Sequence, residues 1–364
     1  MKPLLRITLT ALLAPSWLLA QQGPPPALAV DSPRVSQEAI RGIIMPVKCD
    51  DKGNIYFRGS TTERSSKEAT RTVKKLDREG NVKATFKLDS VPEGGKLSAG
   101  EFALDSQGNV YFLTNDSDRL YLVKFNRDGN YESKTKLSEV FSVGPFAVFG
   151  SGDFLISGVE LPSKEDPRGA RPITGIFDSS GKLVRKVALP DDEKVRASAE
   201  AGEGEDRTAA YGNLAVSLGV ALPSEEGNVY LLRRSTPAIV YLLSPKGEVV
   251  RKFAVSATDS QSSADDTNEN QPGGSDSSRR ISTLLPQAMQ LSQSELVLLF
   301  SDEDQNQLLL RVVNAQTGEA IATYAGTPEL GSVFGCISRP PPTSNTLVEV
   351  VFDSPAGVNC VLLL

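Results

Sequence analysis

The chain of 364 residues contains no histidine. Without imidazole there is no Ser-His-Asp or Cys-His catalytic set and no histidine-bound zinc. Catalysis, if any, falls to carboxylates, Lys, Tyr or a metal held by oxygen. Cysteine is scarce too: Cys49, Cys336 and Cys360 allow at most one disulfide and leave one thiol over. Stability therefore has to come from a hydrophobic core. Long apolar runs are missing apart from Ile7 to Ala20, which follows Lys2 and Arg6 and is interrupted by Thr8, Thr10, Pro15 and Ser16. A spanning helix needs roughly 20 apolar residues, so this run is too short and too broken to be one. A charged start, a short apolar core and small residues before a polar break describe a signal peptide. Cleavage is expected after Ala20, with Ala29 as the alternative, giving a secreted or periplasmic protein; no cysteine stands nearby to carry a lipid. An excess of basic charge is also missing. The net charge is −6, and becomes −8 once Lys2 and Arg6 leave with residues 1–20. An acidic chain with no basic stripe argues against nucleic acid as a partner.

What the sequence does have is a repeat, clearest from Glu101 to Leu137. Phe102 to Leu104 is an apolar run ended by Ser106-Gln107-Gly108-Asn109, where the Gly supplies the positive φ of a tight hairpin. Val110 to Leu113 is apolar at every position, which predicts a strand buried on both faces. After Asn115-Asp116-Ser117-Asp118, the run Leu120 to Phe125 is apolar except for Lys124. Beyond Asn126-Arg127-Asp128-Gly129, residues Tyr131 to Leu137 alternate with period two. Apolarity falls from the inner strands to the last, as in a four-stranded propeller blade packed between neighbours with its fourth strand at a wet rim.

Two landmarks align the other copies: a Gly-Asn-(apolar)-Tyr hairpin entering the second strand, and an (Asp/Asn)-x-x-Gly turn before the fourth. Unit one carries Gly53-Asn54-Ile55-Tyr56; unit three has Gly150-Ser151-Gly152 and Asp178-Ser179-Ser180-Gly181; unit four has Gly227-Asn228-Val229-Tyr230. Unit five is weaker, over Glu295 to Phe300, Leu308 to Val313 and Asn314 to Gly318. Unit six shows Gly335 to Ser338, Thr346 to Phe352 and Val358 to Leu364, and lacks a fourth strand. The expected architecture is all-β: a six-bladed β-propeller of four-stranded antiparallel blades over residues 34–364, after a signal peptide at 1–20 and a Pro-rich linker at 21–33. An N-terminal strand within Arg34 to Ile44 would supply the missing outer strand and leave no open sheet edge in the ring.

These turns resemble those of the six-bladed propellers of the NHL and TolB-like group, including its lactonase-like branch. The lactonase-like resemblance implies a divalent metal such as calcium on the central axis, held by Glu, Asn and Asp. Gly212-Asn213-Leu214-Ala215-Val216-Ser217 is faintly similar to their Asn-Gly-(apolar)-Ala-x-Ser segment, with Asn and Gly reversed and the following Asp missing. Asn213 is the one weak metal candidate.

Asp302-Glu303-Asp304-Gln305-Asn306 lacks the Gly and Glu of an EF-hand, with Gln307 and Val313 in their places. Ser133-x-x-Lys136 and Ser179-x-x-Lys182 match a penicillin-interacting pattern without its helix or its partner motifs. No full dinucleotide-binding fingerprint is present. Arg58, Arg233 and Arg234 end second strands and could ring an anionic ligand, though snorkelling surface arginines are the plainer reading. Cys49 and Cys336 occupy equivalent first-strand positions in blades that meet at ring closure, where a disulfide would lock the ring; three buried thiols are the alternative.

The long excursions, Gly59 to Thr72, Glu160 to Pro172, Asp191 to Gly219 and Ser256 to Gln287, are all expected on one rim, because successive strands alternate direction; Ser338 to Thr346, with Pro340-Pro341-Pro342, is the exception and falls on the opposite side. Residues 257–282 read as disordered, and Glu193 to Tyr211 as a short helix weakened by Gly202 and Gly204. Loops on a rigid scaffold are where binding usually sits. The expectation is a monomeric, non-catalytic module that needs no cofactor and binds a protein, peptide or glycan through this face. The binding-face candidates are Arg58, Asp116, Asp118, Arg233, Arg234, Asp302 and Asp304. The alternative is a metal-dependent lactonase-like hydrolase using the axis.

Overall fold

A computed structural model describes residues 30–35, 42–50, 52–60, 70–77, 81–116, 119–160, 171–192, 219–257, 284–292, 294–302, 307–325, 333–338, 348–354 and 357–363. The expected signal peptide, the expected helix within 193–211 and the expected loop at 257–282 lie outside these residues, save for position 257.

The described residues form four-stranded antiparallel sheets. The first strand, β1 (Val30–Val35), belongs to the sheet formed by the end of the chain. Five sheets then follow in chain order. The first is β2 (Gly42–Cys49), β3 (Ile55–Ser60), β4 (Thr72–Leu76) and β5 (Val82–Lys87). The second is β6 (Ser98–Leu104), β7 (Val110–Asp116), β8 (Arg119–Phe125) and β9 (Tyr131–Lys136). The third is β10 (Ser142–Val148), β11 (Phe154–Glu160), β12 (Arg171–Phe177) and β13 (Leu183–Lys186). The fourth is β14 (Val220–Pro223), β15 (Val229–Arg233), β16 (Ala238–Leu243) and β17 (Val249–Val255). The fifth is β18 (Leu285–Ser292), β19 (Glu295–Asp302), β20 (Gln307–Asn314) and β21 (Ala320–Ala325).

A further sheet is composite. Its inner strands β22 (Val333–Ser338), β23 (Val348–Ser354) and β24 (Gly357–Leu363) come from the end of the chain, and its outer strand is β1. The inner strands touch in sequence, β2 beside β6, β6 beside β10, then β14, β18, β22 and back to β2. This is a β-propeller. The closing strand starts at Val30, not within Arg34 to Ile44, so residues 30–33 belong to the fold and not to the linker. Pro33 gives this strand both its linker-like sequence and its geometry. Proline cannot donate to a ladder and is tolerated on an edge strand or at a bulge. Here it is on both, since the β1–β24 register shifts between Asp31 and Arg34.

The core lies between sheets, not in one central mass. In β7, Val110 and Phe112 pack with the first sheet's Tyr56, Val73 and Phe86. Their neighbours Tyr111 and Leu113 pack the other way, with the third sheet's Phe146, Phe154 and Phe177. Both faces of the strand are thus buried, which is why every position in that run is apolar. Tyr111 and Phe154 meet edge-on across the seam, with centroids 5.4 Å apart. The rim strand β9 exposes Glu132, Ser133 and Lys136 and fully buries none of its residues. Similar seams join sheets three and four through Leu155, Leu231 and Tyr241, and four and five through Leu232, Leu242 and Phe300.

The two sequence landmarks have physical roles. Asp105 accepts from the backbone N–H groups of Gln107 and Asn109, from the Asn109 amide and from the Tyr111 hydroxyl. Asp50 repeats this with Lys52, Asn54 and Tyr56. The outer turn lets each sheet rest on the preceding one. At Gly129, φ is +92° and an added Cβ would stand 2.7 Å from the Thr85 carbonyl oxygen of β5. The equivalent turns at residues 181, 247 and 318 abut Lys136, Arg185 and Phe253 on the outer strand of the preceding sheet.

Candidate functional site

Two features set this site: inner-strand bulges at the axis and the strand ends around one face. In the β6–β7 pair, Ala99 faces Thr114 and Phe102 faces Phe112, so Gly100-Glu101 contains one residue more than the opposing strand. Register shifts also occur in β2 between Ile44 and Lys48, in β10 between Val143 and Phe146, in β18 between Pro286 and Ala288, and in β22 between Val333 and Ile337. A bulge bends its strand and re-aims a side chain. Gly100 is needed in this one, because a Cβ there would lie 2.8 Å from the Leu113 carbonyl oxygen.

Glu101 is the side chain so re-aimed. Its Oε1 lies 3.7 Å from Nζ of Lys48 on the neighbouring inner strand, and the two side chains are 23% and 17% exposed. The Lys48 ammonium also stands 5.8 Å from the centroid of Phe102. Burial pulls the Lys48 pKa below its ordinary value, and Glu101 opposes that. Burial pushes Glu101 up, with Lys48 and then Arg58 opposing. Arg58 reaches across the same seam and donates from Nη1 to the Gly100 carbonyl oxygen. Its own pKa is lowered by burial and raised back by Glu101.

Arg234 comes from the fourth sheet, which does not adjoin the second. Its Nη2 donates to the Gln287 carbonyl oxygen, 3.0 Å away in the β18 bulge. Its Nε is buried and has no hydrogen-bond partner among the described residues. Burial lowers the Arg234 pKa and Glu101 raises it. Lys48 thus pairs with Glu101, Arg58 donates to the backbone beside it, and Arg234 makes the equivalent bond to the β18 bulge.

The other candidates are placed as follows. Arg58 and Arg233 are not snorkelling surface residues: they are 7% and 0% exposed. Arg233 is held in the seam between sheets three and four. Its guanidinium donates to Ser157 Oγ at 3.3 Å, Thr174 Oγ1 at 3.2 Å and Asp192 Oδ1 at 3.0 Å. Beside it, Asp191 accepts from the Tyr241 hydroxyl, and burial followed by this bond raises the tyrosine pKa. Arg233 is therefore a joint between sheets and cannot reach a macromolecule on the face. Asp116 ends β7, half-buried, with Arg119 opposite it on β8. Asp302 ends β19 opposite Gln307. Asp118, Asp304 and Asn213 lie outside the described residues. Cys49 is disulfide-bonded, and Cys336 is on β22, the strand next to β2.

Among the described residues no three His, Cys, Asp or Glu side chains come together as metal ligands. Nor is any helix there long and apolar enough to cross a membrane. Sequence reasoning missed Lys48 and Glu101, because a bulge interrupts the period-two alternation from which a side chain's direction is read. Ala99-Gly100-Glu101, a glycine inside a strand pattern, was the available signal.

No family model matches the sequence, and no curated protein matches it. Solved structures similar in shape include a virginiamycin B lyase from Staphylococcus aureus, at 11% identity and a TM-score of 0.46, over 93% of this chain and 100% of that one. A streptogramin B lyase is 13% identical with a TM-score of 0.44, over 92% and 97% of the two chains. A protein of unknown function from Bacteroides caccae is 11% identical with a TM-score of 0.44, over 77% and 80%. Likeness at this level carries no argument about activity.

Proposed function

We propose that the chain is an exported, non-catalytic propeller that binds a protein, peptide or glycan partner through the face bearing its long connections. The observation that carries this is the placement of strand ends. The wide separations in sequence, Ser60 to Thr72, Glu160 to Arg171, Lys186 to Val220 and Val255 to Leu285, all follow a second or a fourth strand. In antiparallel four-stranded sheets those ends share one side. The first-to-second turns at Asp50 to Asn54, Asp105 to Asn109 and Ser224 to Asn228 are tight and lie opposite. Long loops on a rigid scaffold suit recognition.

In this reading the composite sheet is the sixth blade of a closed ring of the NHL or TolB-like kind, and Cys49 pairs with Cys336 at the closure. A disulfide supports export, since such bonds persist in oxidising compartments. Glu101 is paired with Lys48 at 3.7 Å and so is not free to ligate a divalent metal, which weighs against the hydrolase alternative.

The test is capture of partners by the mature chain, by a variant with residues 193–218 replaced with a short Gly-Ser linker, and by one with residues 339–347 shortened on the opposite face. Capture should survive the second change and fail with the first. Equal capture by all three proteins contradicts the reading.

A further inference from the structure

We infer that the outer edge of sheets three and four is a docking edge for an anionic lipid surface. It lies away from the long-loop face, and the inference does not depend on that face binding a partner.

The edge is built on a repeated irregularity. Each of the five contiguous sheets has a bulge at the second residue of its outer strand. In β5, Leu76 faces Val82 and Lys75 faces Ala84, which leaves Lys83 as the extra residue. In β9 the extra residue is Glu132, in β13 Val184, in β17 Val250 and in β21 Ile321. Such a bulge keeps an open edge from pairing with another chain, and a charged side chain strengthens that protection. The first two sheets follow this rule. Lys83 pairs with Asp77 at 3.3 Å and Glu132 with Lys124 at 2.8 Å, each within its own sheet. Sheets three, four and five instead carry β-branched aliphatics there, 61%, 47% and 51% exposed. Edge protection accounts for the bulges but not for what these three display.

The aliphatics follow one another around the rim, and cations accompany them. The turn at Gly247 rests on β13, since an added Cβ there would stand 2.6 Å from Arg185 Cδ. Arg185 adjoins Val184 in sequence and Gly247 precedes Val250 by three residues, so the two valines flank one seam. The turn at Gly318 rests on Phe253 of β17 in the same way and continues the arc toward Ile321. Val249 adds a further exposed aliphatic. Residues 182–186 and 246–252 carry six basic side chains and one acidic, Glu248, in a chain whose net charge is −6. Lys186 is tied to Glu160 at 3.4 Å, while Arg185, Lys246 and Lys252 are exposed.

This combination selects among occupants. A two-fold contact with a second copy would set these cations against one another. A polyanionic glycan would satisfy the cations and leave the valines in water. An anionic bilayer uses both, because aliphatic side chains enter the interfacial region while nearby Lys and Arg attract the headgroups. The valines project singly from bulges, and a fluid surface accepts them without matching pockets. With so few side chains the attachment is weak and reversible. The turns before the fourth strands lie opposite the long connections, so docking by this edge leaves the long-loop face toward solution.

The experiment is co-sedimentation of the intact mature protein with vesicles of phosphatidylcholine and with vesicles of phosphatidylcholine and phosphatidylglycerol in equal parts. At low salt the protein should bind the anionic vesicles and not the neutral ones, and added salt should release it. Val184→Ser/Val250→Ser should lower the bound fraction at least threefold with the melting temperature unchanged, and Arg185→Gln/Lys252→Gln should do the same. Val140→Ser, which alters an equally exposed valine outside this edge, should leave binding as it is. Should the serine variant fail to fold, Val184→Thr/Val250→Thr keeps the branched shape, and a twofold loss is expected. No binding to anionic vesicles, equal binding to both compositions, or binding unchanged in the valine variant overturns the assignment. So does a soluble dimer, seen by light scattering, that the valine variant abolishes while vesicle binding is absent.

Discussion

Glu101 and Lys48 join two sheets at the axis, Oε1 to Nζ 3.7 Å, one on a bulge and the other on the inner strand next to it. Removing one member of a largely buried pair leaves the other charge uncompensated, which is far worse than removing both. Glu101→Gln should therefore destabilise the fold by about 2 kcal/mol, reduced from the fully buried case because both groups keep some solvent contact. Lys48→Met combined with Glu101→Gln should recover much of that loss. Urea unfolding of the three proteins measures both effects; a double variant less stable than Glu101→Gln alone would refute the pairing.

Asp105 gathers four donors in the hairpin that repeats along the chain. Asp105→Ala should cost about 2–3 kcal/mol, since it strands several donors at once, and Tyr111→Phe about 1 kcal/mol. Asp50→Ala should behave like Asp105→Ala, because its turn is built in the same way. Chemical denaturation of the set checks this.

Much of the fold is readable in these local patterns. Val110 to Leu113 announces a strand buried on both faces, and the paired Gly turns announce hairpins, because each depends on neighbours in sequence. The closing strand at Val30–Val35 was hidden by Pro33, which reads as linker unless its partner β24, from the far end of the chain, is known. The buried arginines were hidden for a similar reason. Arg58 and Arg233 look like surface residues until the carbonyl of Gly100 and the hydroxyls of Ser157 and Thr174 arrive from another sheet.

Two glycines of similar φ separate backbone strain from crowding. Gly152 has φ +87° and open space around a would-be Cβ, whereas Gly129 has φ +92° and the Thr85 carbonyl at 2.7 Å. Gly152→Ala should cost about 1 kcal/mol and Gly129→Ala about 2–4 kcal/mol, with the excess arising at the seam between the first two sheets. Thermal unfolding of both variants decides; equal losses would mean that the seam yields freely.

Acid should weaken the outer turns. The Ser180 hydroxyl, then the Lys182 backbone N–H, holds Asp178 below the ordinary carboxylate pKa of 3.8. Asp77 is pushed up by burial, but the Asn81 donors and Lys83 outweigh this and leave it lowered as well. A folded-state pKa below the unfolded value means that the unfolded chain binds more protons in acid. The stability these two groups add is therefore complete above the ordinary value and is lost as pH falls through the depressed ones. Between pH 5 and pH 3, on the order of the usual carboxylate range, wild type should lose stability more steeply than Asp77→Asn/Asp178→Asn. Thermal unfolding across that range provides the comparison, and parallel curves would contradict it.

The central claim is that this propeller binds and does not use its axis for metal-dependent hydrolysis. The most direct measurement is the metal content of the purified mature protein by mass spectrometry, paired with its melting temperature in added calcium and in a chelator. The account predicts no stoichiometric divalent ion and no change in melting with either addition. One tightly held ion per chain, with melting lowered by the chelator, would contradict it.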